Sequence, residues 1–557
     1  MHKKVKKLYS LIIASILVLS LTACGNSSNE EETTALDKSK LNPADYYGVS
    51  EWKNQEYEVS KEDHFRNYYE VFVYSFADSD GDGIGDIQGL ISKLDYISEL
   101  GFNGIWLMPV MPSTTYHKYD VIDYYDIDPE YGTMNDFNKL VKECHDRNIN
   151  LIIDLVFNHT STKHEWFTKA TSYYQSLQEG QEPNFEECPE AGFYNFKKEE
   201  DVRNRDIYYK ISGTNYYYEG MFWSEMPDLN LDNELVRREI EKIAKFWLDL
   251  GVDGFRLDAA KEYWSGSATK NTEVLKWFVD YVKSVRKDAY LVAEVWSSNY
   301  DIRQYYKSGI ESIFDYTHGN ATGNLFKYFN QGNGLKLAKS FEDTDKGYLE
   351  SNPNVVNAPF ASNHDVGRIS GFVSYEIPRI KFAGALNQIM TGCSFVYYGE
   401  EIGMTGSGAS KDEDKRAPMH WTAFKGGIVT AGPPTMSTDI VHMFGDVETQ
   451  MKDVDSIYWY YRKMLHIRNT YEEIPKGTTT ALTELGDISI CGVKKVYKDQ
   501  EMYILCNTSD KPITVTMSKE TYGYEKMVEY LVTTIDESIT IDGDSITLPP
   551  YAIAFLK

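Results

Sequence analysis

The stretch GVDGFRLDAAKEYW, Gly251–Trp264, carries the signals from which the rest of the chain can be interpreted. Its apolar residues between Val252 and Phe255 predict a short buried strand. Two opposite charges follow at a spacing of two, Arg256 and Asp258. Because residues two apart on a strand point to the same face, the two charges lie side by side. They are either an ion pair that ties a loop or part of a site at the carboxyl end of the strand.

Two later apolar runs also end at a carboxylate. Tyr290–Trp296 (YLVAEVW) contains Glu294, and Phe360–Asp365 (FASNHD) ends on an aspartate. With Asp258, three strand ends then offer three carboxylates. A glycosidase needs such a set, because it uses one nucleophile, one proton donor and a further charge that holds the sugar. We therefore predict that Asp258, Glu294 and Asp365 form one catalytic site.

From Tyr69 onward, short apolar runs alternate with longer amphipathic ones. The predicted strands lie at 71–76, 104–108 and 150–156, from 252 and from 290, and at 312–314, 357–362 and 394–398. The predicted helices lie at 87–100, 136–147, 235–250 and 272–286, with a last one ending near 468. Eight such units with functional residues at the strand ends predict an α/β fold, the (β/α)8 or TIM barrel.

The alternation of strands and helices is interrupted once, after the third strand, and it ends near Thr478. A polar, tyrosine-rich stretch at about 160–230 has no clear period and predicts a domain inserted after the third strand. After Thr478 the pattern becomes one of short alternating strands, which predicts a small antiparallel β domain. The expected organisation is a catalytic barrel at 60–477, interrupted by the insertion, and a C-terminal β domain at 478–557.

The N-terminus predicts export. Basic residues precede an apolar run, Leu8–Leu21, that is shorter than a typical membrane-spanning helix. The run is followed by Leu-Thr-Ala-Cys24, which resembles the lipobox of bacterial lipoproteins; the alternative is an ordinary cleaved signal with a chance cysteine. We expect a signal peptide at 1–24, lipidation of Cys24 and a flexible tether at 25–59. The protein would then be anchored by lipid to the outer face of a bacterial cell membrane.

The net charge bears on the binding partners, and the cysteines bear on disulfides and metal sites. The chain has 557 residues and a net charge of -27, which argues against nucleic acid or an anionic membrane surface as partner. Its 43 tyrosines suit a sugar-binding protein, although core and surface packing explain most of them. The cysteines after Cys24 match neither a disulfide framework nor a zinc site, but Cys491 and Cys506 can meet on neighbouring strands. We expect a monomer.

Several motifs together resemble the α-amylase family of retaining glycoside hydrolases, in particular the amylases intermediate between the oligo-1,6-glucosidase and neopullulanase groups. The resemblance covers roughly Tyr68 to the C-terminus, with the motifs in the family's order. They are Asp154–His159 (DLVFNH), Met226–Asn230 (MPDLN), Gly254–Asp258 (GFRLD), Glu294 in Ala-Glu-Val-Trp, and Asn363–Asp365 (NHD). The resemblance implies a TIM barrel with an inserted domain B and an α-glucan substrate.

The resemblance and the chemistry assign the same roles. Asp258 is the nucleophile, kept ionised by Arg256. Glu294, whose apolar flank should raise its pKa, is the proton donor and later the base. Asp365 binds the hydroxyls of the distorted sugar. The substrate contacts implied by the resemblance are Tyr119, Asp120, His159, Arg256, Lys261 and His364.

A separate acidic loop, Asp78–Asp86 (DSDGDGIGD), predicts a cation site. It is not an EF-hand, because its twelfth position is Gly89 rather than a bidentate glutamate. It resembles the calcium loop after strand one in the oligo-1,6-glucosidase-like branch, and the alternative is an acidic surface turn. The ligands implied for Ca²⁺ are the side chains of Asp78, Asp80, Asp82 and Asp86 and the carbonyl of Ile84. A second calcium near Asn158 is left open.

The residues after the nucleophile bear on linkage. Ala259 stands where α-1,6-specific relatives have valine, so it favours α-1,4 bonds. Lys261 matches the amylase lysine that reaches the leaving-group sugar, but Glu262 follows where histidine is common. We predict hydrolysis of internal α-1,4-glucosidic bonds in starch-like glucans and malto-oligosaccharides. The alternatives are an α-1,4-glucan transferase, an α-glucosidase or neopullulanase-like activity, and a non-catalytic glucan-binding lipoprotein.

Overall fold

The computed structural model describes residues 38–52, 63–203, 206–406, 411–424, 426–437 and 442–557. The predicted signal peptide, Cys24 and most of the predicted tether lie outside the described residues. Within the described ranges, no helix is long and apolar enough to cross a membrane.

The centre of the fold is a seven-stranded sheet whose neighbouring strands are all parallel. In spatial order the strands are Ser394–Tyr397, Asn67–Val71, Gly104–Leu107, Asn150–Leu155, Gly254–Leu257, Tyr290–Ala293 and Ser312–Ile313. The segment around Ala358 and Phe360 closes the ring, because parallel bridges join it to Phe314 on one side and to Phe395 on the other. The predicted eight-unit barrel is confirmed.

Helices of more than two turns pack around this sheet. They are Met134–Asp146, Glu234–Asp249, Ala268–Val285, Gly334–Ser351, Ile377–Gln388 and Ile457–Thr470. The helix Glu234–Asp249 shows the pattern, since it buries Val236, Ile240 and Trp247 on one face. Short helices lie at Pro43–Tyr46, Val49–Trp52, Asn299–Tyr305, Asn324–Asn330, Ile369–Phe372, Asp412–Lys415, Val447–Gln450, Glu473–Lys476 and Lys519–Tyr522.

The first unit differs from the prediction. The strand is Asn67–Val71, and the apolar run predicted as a strand at 71–76 forms the short helix Val73–Phe76 instead. All four residues of that helix are buried, and a short apolar run does not distinguish a buried strand from a buried helix. The helix predicted at 87–100 is divided into Ile87–Ile91 and Leu94–Leu100.

The insertion follows the third barrel strand, and the C-terminal sheets follow the last long helix. The insertion contains the helix Glu165–Ser176 and a three-stranded antiparallel sheet, Phe196–Lys198, Tyr216–Glu219 and Tyr208–Lys210. The C-terminal five-stranded sheet consists of Thr478–Ala481, Ile490–Tyr497, Gln500–Asn507, Ile553–Leu556 and Met527–Leu531. The three-stranded sheet beside it consists of Ile513–Thr516, Ser545–Leu548 and Thr540–Asp542. Cys491 and Cys506 are direct partners across two antiparallel strands, and both are free thiols.

The predicted tether at 25–59 is wrong for residues 38–52, which are folded against the barrel. The ring of Tyr47 stacks on Trp459 with 5.4 Å between ring centroids, and Trp52 stacks on His466 at 4.3 Å. At the start of the segment, Lys38 Nζ lies 2.6 Å from the Asp455 carboxylate. The sequence gives no periodicity here because the two helices are only one turn each.

Candidate active site

A cleft of about 640 Å³ opens at the carboxyl ends of the barrel strands and brings the three predicted carboxylates together. Asp258 follows the strand Gly254–Leu257, and Glu294 follows the strand Tyr290–Ala293. Asp365 follows the segment that closes the barrel. All three line the cleft, as expected for a TIM barrel, whose sites are built at this end.

Arg256 lies beneath the cleft and connects its acidic groups. Arg256 as a whole is 1% exposed. Nη1 donates to Asp258 Oδ1 at 2.6 Å and to Asp154 Oδ1 at 2.8 Å, while Nη2 donates to Glu294 Oε2 at 2.8 Å. Burial acts to lower the pKa of Arg256, but these carboxylates raise it well above its ordinary value. The Arg256–Asp258 pair therefore belongs to a larger charged network and does not simply tie a loop.

Glu294 is mostly buried among hydrogen-bond donors at the edge of the cleft. Its Oε2 accepts a hydrogen bond from the backbone N–H of Ala259 at 3.1 Å, and the Tyr316 hydroxyl lies 3.4 Å from Oε1. Burial raises the pKa of Glu294, and the nearby Arg256 opposes that rise. The raised pKa of Glu294 agrees with the prediction made from its apolar sequence neighbours.

Asp365 is held in its charged form by two cations. Arg416 Nη2 donates to Oδ1 at 2.9 Å, and His364 Nε2 lies 3.0 Å from Oδ2. Burial acts to raise the pKa of Asp365, but His364 and Arg416 hold it well below its usual range. His364 is in turn paired through Nδ1 with Glu70 at 2.5 Å. Burial acts to lower the pKa of His364, yet Asp365 and Glu70 raise it to about 9.

Comparison with known proteins shows which family the chain belongs to. The sequence model of the alpha-amylase catalytic domain matches residues 70–477. The chain belongs to the α-amylase family of glycoside hydrolases. This confirms the family predicted from the motifs.

Two relatives and one solved structure illustrate the similarity of the chain to this family. Alpha-amylase 3 of Dictyoglomus thermophilum is 39% identical over 493 residues, covering 88% of this chain and 92% of that protein. The oligo-1,6-glucosidase of Bacillus cereus is 29% identical over 567 residues, covering 88% and 98%. The solved structure of Eubacterium rectale Amy13B is 41% identical with a TM-score of 0.85, covering 89% of this chain and 96% of that one.

Most other predicted contacts of this amylase-family site lie at the cleft. The Tyr119 ring lines it, and the phenol oxygen is 2.8 Å from His364 Nε2. His159 and Lys261 also line it, with Lys261 Nζ donating to the Trp296 carbonyl at 3.3 Å.

Asp120 is not brought to the cleft. Its carboxylate is fully buried and accepts hydrogen bonds from Thr115 Oγ1 at 2.5 Å and Ser161 Oγ at 3.2 Å. The hydroxyls of Ser113 and Thr114 donate to it as well. Asp120 therefore fixes the loop that presents Tyr119, and the structure gives it no path to a sugar.

Several residues in or beneath the cleft have no role that the sequence alone indicates. Asp154 is buried with both oxygens bonded to Arg256, and burial raises its pKa to about 7 against the opposing guanidinium. The sequence feature that could have indicated Asp154 is a carboxylate within the apolar strand NLIIDL.

Two aromatic residues of the insertion also lie at the cleft. Phe222 and Trp223, 51% and 47% exposed, line it. Such ring faces suit stacking on sugars. The sequence feature that could have indicated them is an aromatic pair within a polar loop.

The His364 contacts make the stability of this amylase-family protein depend on pH. A pKa raised from 6.5 to about 9 means that protonated His364 stabilises the fold fully below pH 6.5 and loses that effect as pH rises through 9. We therefore expect His364→Asn to be less stable than wild type at pH 6, with the difference shrinking by pH 9. Urea unfolding at both pH values measures this. An equal difference at the two pH values contradicts it.

Proposed function

We propose that the chain hydrolyses internal α-1,4-glucosidic bonds of starch-like glucans and malto-oligosaccharides, with retention at the anomeric carbon. The observation that carries the proposal is the shared contact of Asp258 and Glu294 with Arg256, at 2.6 and 2.8 Å, inside an aromatic-rimmed cleft. One guanidinium thus places two carboxylates close together, as double displacement requires. The similarity to Alpha-amylase 3 supports the glucan substrate.

In the first step, the Asp258 carboxylate attacks the anomeric carbon while Glu294 gives its proton to the leaving glycosidic oxygen. This forms a covalent glycosyl-enzyme and releases the first product. In the second step, Glu294 takes a proton from water, which attacks the same carbon and frees Asp258. Arg256 Nη1 donates to the nucleophile at 2.6 Å and holds it in place, and burial raises the pKa of Glu294.

Asp365 has a different task in this proposal. Because His364 and Arg416 fix both of its oxygens and keep it charged, it is a poor nucleophile but a steady negative charge. It would accept hydrogen bonds from sugar hydroxyls and stabilise the positive charge that develops on the ring.

Ala259 supports the α-1,4 preference, because its small side chain lines the cleft beside Glu294. Incubation with amylose, pullulan and panose tests it. Malto-oligosaccharides from amylose, with panose left intact, are expected. Glucose from panose without attack on amylose contradicts the linkage. Longer products that appear with excess acceptor indicate a transferase instead.

Retention gives a separate prediction. Two inversions at one carbon restore its configuration, so the first reducing sugar released from maltoheptaose should be the α-anomer. Proton NMR during the first minutes, before mutarotation, measures the anomer directly. If the β-anomer comes first, water attacks without a covalent intermediate, and the role of Asp258 is wrong while the fold assignment stands.

We further propose that the aspartate loop binds Ca²⁺. Carboxylate oxygens of Asp78, Asp80 and Asp86 lie within 4.8 Å of one another. Calcium takes oxygen ligands at about 2.3–2.6 Å, so ligands on opposite sides of the ion are about 5 Å apart and the three carboxylates fit it. Asp82 lies outside this cluster, and its Oδ1 accepts the Ile84 N–H at 2.8 Å. Calcium here would stabilise the fold without contacting the sugar.

The expected result is that EDTA lowers the melting temperature by a few degrees, because the ion binds the folded state only. Asp80→Asn should lower it similarly and abolish the response to EDTA. Asp82→Asn is the matched control, since it keeps an oxygen that can accept from Ile84. Scanning calorimetry with elemental analysis decides the point. No EDTA effect together with no bound calcium means that the loop is an acidic turn.

We also propose that Cys24 carries a lipid that holds the monomeric enzyme on the outer face of a bacterial membrane. The proposal is supported by the lipobox-like sequence alone. Replacement of Cys24 by Ala, followed by fractionation, tests it. Release of the protein from the membrane fraction is expected, and unchanged retention contradicts the anchor.

A further inference from the structure

Glu70 is a buried carboxylate in the barrel wall, and it contacts no reacting group. It lies in the strand Asn67–Val71 and is 1% exposed. Its Oε1 lies 2.5 Å from His364 Nδ1 and accepts the His364 backbone N–H at 3.4 Å. Within the part of the chain that the structure describes, Oε2 has no hydrogen-bond partner. The carboxylate is therefore directed at His364.

The His364 ring has an acceptor at each of its two nitrogens. Nδ1 faces Glu70, and Nε2 lies 3.0 Å from Asp365 Oδ2. The Tyr119 hydroxyl, 2.8 Å from Nε2, donates its own proton to Asp154, so it also acts as an acceptor toward the ring. A neutral imidazole has one N–H and can donate on only one of these sides, whereas the imidazolium has two. The arrangement therefore requires a charged His364.

The charge of His364 is balanced by the carboxylates on either side of it. Burial acts to lower the pKa of His364, but Asp365 and Glu70 raise it to about 9. Burial raises the pKa of Glu70, and the His364 imidazolium opposes that rise. An unpaired charge in the interior is unfavourable, so Glu70 and His364 keep each other charged. The other titratable or charged groups around this pair are Tyr119, Asp154, Arg256 and Arg416.

We propose that Glu70 is a positioning residue for the reaction: its negative charge keeps both nitrogens of His364 protonated, so that Nε2–H holds Asp365 in place for the distorted sugar. The inference rests on the proposed glucan hydrolysis and adds to it a residue that does not line the cleft. Without this charge, a neutral His364 either presents a lone pair to Asp365 or donates to it without offsetting its charge.

Glu70→Gln tests the charge, because glutamine has the same shape and keeps an oxygen that can accept from Nδ1. At pH 8 its kcat on maltoheptaose should fall about tenfold or more, the size of one lost charged contact in the transition state, while KM changes little. At pH 5 solvent protons recharge His364, so the loss should shrink to less than about threefold. Initial rates at both pH values, each divided by the wild-type rate at the same pH, measure this recovery.

The control is Glu401→Gln, the same substitution at another buried carboxylate of the barrel. Glu401 Oε1 accepts the hydroxyl protons of Tyr69 and Tyr96, both at 2.7 Å. This variant should change stability and leave its rate ratio to wild type independent of pH. In Glu70→Gln, an equal loss at both pH values, or no loss at either, overturns the proposal. A merely structural role does not respond to the charge of His364.

Proton NMR of the free enzyme supplies a readout that needs no substrate. The ring N–H protons of a charged histidine between carboxylates resonate far downfield, and His364→Asn identifies them by removing them. They should be present in wild type at pH 7 and lost in Glu70→Gln. Their absence from wild type overturns the proposal even if Glu70→Gln does not fold. If wild type shows them but cleaves no α-glucan, the proposed function fails, while the charge relation between Glu70 and His364 stands.

Discussion

Asp258→Asn is expected to lower kcat on amylose by about three orders of magnitude or more, because an amide does not form the glycosyl-enzyme. The fold should survive, since asparagine has the same shape and Arg256 keeps its contacts with Asp154 and Glu294. Initial rates of reducing-sugar release measure the loss, and circular dichroism checks the fold. A variant that keeps about a tenth of the wild-type rate contradicts the assignment of the nucleophile.

Glu294→Gln is the matched variant, because it removes another carboxylate of the same network, the one that transfers the proton rather than attacks the carbon. Its loss on amylose should be similar in size. With a leaving group that needs no proton, such as p-nitrophenolate, the first step of Glu294→Gln should recover, while that of Asp258→Asn should not. The opposite recovery pattern exchanges the two roles.

The three carboxylates could be predicted because each ends an apolar run. Parallel strands in a barrel place their carboxyl ends on one face, so Asp258, Glu294 and Asp365 converge although the chain separates them widely. The family resemblance, by contrast, placed Asp120 among the substrate contacts, and in the structure the hydroxyls of Ser113, Thr114 and Thr115 donate to its carboxylate. Only the folded loop shows that those hydroxyls occupy it.

Other parts of the site depend on contacts between distant segments. Arg416 follows no apolar strand, and its bond to Asp365 links residues 51 positions apart. The same holds for the segment 38–52, which has no pattern of its own and folds because Tyr47 and Trp52 stack on a barrel helix. Local periodicity predicts elements, and it does not predict which loop or terminus covers them.

Arg256→Met is expected to remove most of the activity and to lower the free energy of unfolding by about 3–5 kcal/mol at pH 7, the cost of breaking buried ion pairs. Methionine fills a similar volume but leaves Asp154, Asp258 and Glu294 without the guanidinium they share. The pKa values of Asp154 and Glu294, which burial already raises against the guanidinium, should then rise further. Urea unfolding and initial rates on amylose measure both effects.

The pH dependence and a lysine control separate charge from shape in this network. Carboxylates with raised pKa values in the folded variant bind protons more tightly than in the unfolded chain, so Arg256→Met should be closest to wild type at about pH 4 and least stable at about pH 7. Arg256→Lys restores one charge, but a single ammonium does not replace two nitrogens that face Asp258 and Glu294 separately. It should recover part of the stability and little of the rate. If Arg256→Lys recovers both, net charge alone organises the site, and the fork of the guanidinium does not position the two carboxylates.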